Sequence, residues 1–139
     1  MKKNLILTLA FSVATLLGGM SATAQDMGLA AKFTMATAFY VGGAKMPPGT
    51  YSIRQSQDDP SVYVVTNSAG THTVDVLTSQ SSQASKSGVE MVFHKYPAGE
   101  YLVGVLTATG TSINLDPGVA EKVAAKKGGT PQTHTVPAK

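Results

Sequence analysis

"MPPGTYSI" (Met46–Ile53) and "YPAGEYLV" (Tyr96–Val103) share Pro-x-Gly-x-Tyr-x-aliphatic, the second copy fifty residues after the first. In each, Pro fixes one φ angle and Gly permits an unusual backbone conformation, a pairing suited to a tight turn. The Tyr two places later shares a strand face with the next aliphatic residue. Its ring is then expected to cover the core's edge with the hydroxyl in water. Pro47, Pro48, Gly49, Tyr51, Pro97, Gly99 and Tyr101 therefore read as strand-entry residues, with no nucleophile or metal ligand among them.

On either side of these turns, most of the chain reads as strands. Phe33, Met35, Phe39 and Val41 alternate with Thr34, Ala36, Ala38 and Tyr40 over one long run that Gly42-Gly43 breaks. Thr50–Gln55 and Val62–Thr66 follow, and Asn67-Ser68-Ala69-Gly70 predicts a hairpin into Thr71–Leu77. Residues 78–88 are rich in Ser, Gln and Lys and read as a mobile loop. Val89–His94 resumes alternation with Val89, Met91 and Phe93 inward. Tyr101–Ala108 is apolar on both faces: Tyr101, Val103 and Val105 on one, Leu102 and Leu106 on the other. Such a strand is central and covered on each side, and Gly104 within it marks a bulge or a close backbone approach. Asp116-Pro117 predicts an N-cap and first helical residue. Val119, Ala120, Val123 and Ala124 give the helix an apolar face that ends near Gly128-Gly129. Residues 129–139, a Pro/Thr tail, are expected to be disordered.

The N-terminus predicts export. Lys2 and Lys3, an apolar run from Leu5 to Leu17 and Ala22-Thr23-Ala24 are the three parts of a secretory signal at 1–24. The apolar run falls short of the roughly 20 residues that span a bilayer. The mature chain, 115 of 139 residues from Gln25, suits one β domain at 25–128 in the periplasm or outside the cell. It has no Cys, hence no disulfide, thiolate metal ligand or cysteine nucleophile. The formal charge of +3 includes Lys2 and Lys3. Without them nine basic residues face eight acidic ones, too few cations to neutralise a nucleic-acid backbone.

The ionisable residues do not assemble into a familiar active-site motif. There is no H-E-x-x-H or G-x-S-x-G, and Gly42-Gly43 lacks the spacing of a phosphate loop. His94 shares an outward face with Glu90, His72 falls on the parity of Val74 and Val76, and His134 lies in the tail. Neither an enzyme nor a metal or other cofactor is expected.

"FYVGGAKMPPGTYSI", "MVFHKY", "YLVGVL" and "AEKVA" together resemble a group of uncharacterised small secreted bacterial proteins of the Acidobacteria type. Their pattern runs Phe-x-Val-Gly, then Pro-x-Gly-x-Tyr, then Phe-x-Arg-Tyr-Gly and a late Ala-Glu-Lys. The matching positions are Phe39, Val41, Gly42, Pro47, Gly49, Tyr51, Phe93, Tyr96 and Glu121, with Lys95 and Pro97 departing from it. The resemblance implies a β-sandwich and an extracytoplasmic compartment, and no activity.

The expected fold is thus all-β, an antiparallel sandwich or small open barrel of about six or seven strands with one short C-terminal helix. The expected function is a non-catalytic envelope or extracellular domain that binds a protein or glycan, or assembles with itself. Tyr40, Tyr63, Ser79, Gln80 and Lys86 are the expected contact residues. Two alternatives are self-assembly through a strand in residues 29–41 and carriage of a small apolar ligand, with the two-sided strand lining its cavity.

Overall fold

The computed structural model describes residues 30–83 and 85–139; the expected signal at 1–24 lies outside them. Among these residues the fold is all-β with one short helix. Among the described residues ten strands, more than the six or seven expected, make one continuous sheet that bends over itself without closing into a barrel. β1 (Ala30–Met35), β4 (Gly49–Gln55), β5 (Val62–Asn67) and the first half of β6 (Thr73–Ser82) pair antiparallel in that order. The second half of β6 leaves β5 and pairs with β9 (Thr111–Leu115). From there the sheet runs through β8 (Gly99–Leu106) and β7 (Glu90–Tyr96) to β10 (Gln132–Pro137). β2 (Phe39–Val41) touches β8 through one parallel bridge, Tyr40 to Tyr101, and forms a hairpin with β3 (Ala44–Met46). The free ends meet at one hydrogen bond, the Lys139 amide donating to the Lys32 carbonyl at 2.8 Å.

Alternation builds the core. Phe33, Met35, Phe39, Tyr51, Ile53, Val65, Met91, Phe93 and Val105 are buried between the two halves of the bent sheet. Four rings fill its centre, Phe39 lying 5.0 Å from Tyr51 and 5.7 Å from Phe93, and Phe33 5.8 Å from Tyr51. The edge-to-face contacts of Phe39 and the stacking of Phe33 on Tyr51 add to area burial.

The two Pro-x-Gly-x-Tyr turns share one device. Gly49 and Gly99, the first residues of β4 and β8, have φ of +155° and +149°, which L side chains rarely adopt. The first turn carries the chain from β3 to a strand that β3 does not pair with; the second closes the β7–β8 hairpin. Both tyrosines are more buried than expected, and the Tyr51 hydroxyl donates to the Pro47 carbonyl instead of water.

Several expected boundaries move. The long run at 33–41 is two strands in different parts of the sheet, and β3 follows Gly42-Gly43 as the return arm of a hairpin. The loop expected at 78–88 is strand as far as Ser82, because β9, itself unpredicted, supplies Ser79, Gln80 and Ser81 with partners. The tail expected to be disordered contains β10, whose six residues pair with β7 in continuous register. The helix α1 (Val119–Gly128) starts after Gly118, not at Pro117. The Asp116 amide donates to the Leu77 carbonyl, extending the strand pairing through the residue expected to cap.

In β8 the expected bulge is present. Val92 faces Gly104 while Phe93 faces Leu102, leaving Val103 as the extra residue. That insertion resets the parity, so Leu102 and Val105 both reach the main core. Tyr101 and Val103 turn to the outer side, where α1 covers them.

Candidate functional site

The candidate site is a groove on the outer face of the sheet, beside α1. β7 presents Glu90, Val92 and His94 on this face, alternating with the buried Met91 and Phe93. β10 adds Thr133 and Thr135, which alternate with half-buried His134 and Val136. Val103, Gly104 and Leu106 come from β8, and Ser112, Asn114 and Leu115 from β9. Pro117, just before α1, and Glu121 within it form the remaining wall, and the groove encloses about 460 Å³.

Three contacts hold the helix there. A Cβ on Gly118 would lie 2.3 Å from the Gly43 nitrogen, so helix entry presses directly on the β2–β3 turn. At the far end a Cβ on Gly128 would stand 3.0 Å from Pro97 Cδ and 3.5 Å from the Tyr96 ring. Between them Ala124 packs with Tyr96 and Tyr101. The apolar face predicted for the helix is partly inverted. Val119 and Val123 are exposed, 75% and 44%, while Glu121 is only 7% exposed.

A buried carboxylate needs partners, and the strands provide them. Glu121 Oε1 lies 3.0 Å from His94 Nδ1. An ionised carboxylate only accepts, so Nδ1 carries the proton of this bond. Tyr96 is the second neighbour: burial foremost, then the charge and hydrogen bond of Glu121, push its phenol pKa up. Burial first, and then the nearby Tyr40, Glu121 and Tyr96, raise that of Tyr101 as well. The rings are nested, with Tyr40 stacked on Tyr101 at 4.9 Å and Tyr96 edge-on to Tyr101 at 5.6 Å.

Two of the groove's hydroxyls are also engaged. Thr135 Oγ1 donates to Glu90 Oε1 at 3.1 Å, and Ser112 Oγ to Asn114 Oδ1 at 3.4 Å. Asn114 Nδ2 donates in turn to Ser81 Oγ at 3.0 Å. Glu90 takes a further hydrogen bond from Ser85, the first cause of a carboxyl pKa below the ordinary range. Among the described residues no Lys or Arg lines the groove.

None of the five expected contact residues lines it either. Tyr63 is 3% exposed and belongs to the main core, because parity in β5 sends it inward with Val65. Tyr40 is half-buried under the Tyr101 ring. Ser79 and Gln80 are exposed on β6, and Lys86 lies in the segment before β7. Pro47, Pro48, Gly49, Tyr51, Pro97, Gly99 and Tyr101 occupy the two turns as expected, with Pro97 also supporting the helix end.

The histidines divide differently from expectation. His72 is exposed in the β5–β6 turn, where its amide donates to Asn67 Oδ1 at 3.0 Å. His134, half-buried in β10, stacks 5.6 Å from Phe93. His94 is outward as expected, but its partner is Glu121 rather than Glu90. Among the described residues no group of three or more His, Cys, Asp or Glu is placed to hold a metal ion, and no helix is long and apolar enough to cross a membrane.

Sequence reasoning missed Val92, Ser112, Asn114, Thr133 and Thr135. The outward parity of Glu90 and His94 was the available signal, since Val92 lies between them on that face. Comparison with protein-family models, curated proteins and solved structures found no match.

Proposed function

We propose that the protein is a secreted, non-catalytic binding domain of the cell envelope or extracellular space, holding a small ligand in the groove beside α1. The observation that carries this reading is the groove's construction. Four strands and a helix converge on about 460 Å³, with apolar Val92, Val103, Leu106 and Leu115 mixed with oriented polar groups. Small-ligand sites have this size and this composition. Export is supported by the basic, apolar and Ala-x-Ala parts of residues 1–24 and by the resemblance to small secreted bacterial proteins.

The hydrogen-bond directions favour binding over hydrolysis. A serine or threonine nucleophile must give its proton to a base. Here Thr135 donates to Glu90 and Ser112 to Asn114, so neither hydroxyl proton is directed at His94.

Native mass spectrometry after exposure to the small-molecule fraction of envelope extract tests the proposal, using Val92→Trp as the blocked variant. Val92 faces Gly104 across the strand pair and lines the groove, so the indole fills the ligand space without entering the main core. Retained mass on the wild type and none on the variant is the expected outcome. Equal retention by both would place the contact elsewhere.

A further inference from the structure

From the direction of its hydrogen bonds, we infer that the groove selects a small aliphatic amine, bound as its ammonium ion with the alkyl stem on Val92, Val103 and Leu106. The inference rests on the groove being the binding site and adds the chemical class of the ligand.

Three of the groove's polar groups, His94, Thr135 and Ser112, spend a proton within the protein, while Gln83 and Asn114 line it with amide N–H groups as well. His94 gives Nδ1–H to Glu121, so in the neutral ring Nε2 remains an acceptor. Thr135 gives its hydroxyl proton to Glu90 and Ser112 gives its own to Asn114, leaving oxygen lone pairs. Glu121, once ionised, can only accept. A ligand that meets these acceptors brings donors, and an ammonium brings three with no lone pair to leave unpaired. Charge agrees with the hydrogen bonds. With His94 neutral, Glu121 ionised and no Lys or Arg among the described lining residues, the groove carries negative charge, and Glu90 adds a second carboxylate behind Thr135. A carboxylate or phosphate would meet like charge without a counter-ion. A neutral alcohol would use the apolar floor but gain nothing from the charge.

Calorimetric titration at pH 8 with pentylamine, 1-pentanol and pentanoate separates the three classes. Thr133 is exposed and lines the groove, so Thr133→Lys and Thr133→Glu place opposite charges there with similar bulk. The expected result is binding of pentylamine in preference to the alcohol and acid, weaker by about tenfold or more in Thr133→Lys than in Thr133→Glu. Glu121→Gln should also weaken it. Because that change touches the helix contact, the Thr133 pair decides the matter if the Glu121 variant unfolds. Pentanol or pentanoate binding more tightly than the amine, with Val92→Trp abolishing it, would overturn the amine class and leave the groove intact. No binding of any of the three would overturn both readings.

Discussion

Gly118 is the residue on which helix placement turns. Its own φ of −67° suits any residue, so only space requires glycine there. A methyl group would sit 2.3 Å from one backbone atom of Gly43 and 2.7 Å from another. Because the neighbour is backbone rather than a flexible side-chain end, Gly118→Ala should destabilise the fold by about 1–3 kcal/mol. Urea denaturation checks this, and an unchanged midpoint would mean that helix and turn are not in contact. The tyrosines predict a different dependence. Burial raises the phenol pKa of Tyr51, Tyr63, Tyr96 and Tyr101 in the folded chain. Unfolded phenols ionise near about pH 10. The stability from keeping these groups neutral is therefore complete below that value and is lost as pH rises through the folded pKa values. Urea midpoints should fall between about pH 9 and pH 11. Tyr63→Phe, which removes a phenol shifted by burial alone, should reduce the fall. Much of this detail was legible: Gly49, Gly99 and Gly104 were marked by their neighbours in sequence. The inward turn of Glu121 was not, because helical spacing favoured the valines. Only the His94 and Tyr96 side chains, from a strand distant in sequence, reverse that preference.

Among the elements, β10 departs furthest from expectation. Its inward residues are His134 and Val136, followed just past the strand by Ala138, and its outward ones are Thr133, Thr135 and Pro137. That is a period of two written in residues with little hydrophobic weight, so composition suggested disorder. The edge of β7 decides the matter by offering a complete ladder. Pro131 and Pro137 fit such a place, since an edge strand tolerates their missing N–H groups. Truncation after Gly129 should lower stability, remove Thr133 and Thr135 from the groove and bare the β7 edge to other chains. Light scattering would show concentration-dependent association of the truncated chain; a monomer of undiminished stability would mean that β10 does not pair. β9 escaped notice for a related reason. Only Ile113 and Leu115 carry its inward pattern, and buried Ser112 faces the groove. The bulge at Val103 is likewise set by pairing, and its effect on parity follows only from the register with β7.

At the scale of the molecule, the class was readable because alternation recurs in nearly every segment, while strand order depends on partners far apart in sequence. β6 serves both halves of the sheet, and β1 finds its partner in β4 of the same chain. Pairing within the chain uses the edge that the self-assembly alternative would lend to a neighbour. The full chain is therefore expected to run as a monomer in size-exclusion chromatography with light scattering; discrete oligomers across a dilution series would restore strand exchange. The groove likewise exists only once β7, β8, β9, β10 and α1 have met, which is why no local motif announced it. Binding in that groove is tested most sharply by amide-resolved NMR of the protein titrated with the small-molecule fraction that it retains. Shifts concentrated at Val92, His94, Thr133, Thr135 and Glu121 are the expected result. Shifts centred instead on Ser79, Gln80 and Lys86, with the groove silent, would contradict it.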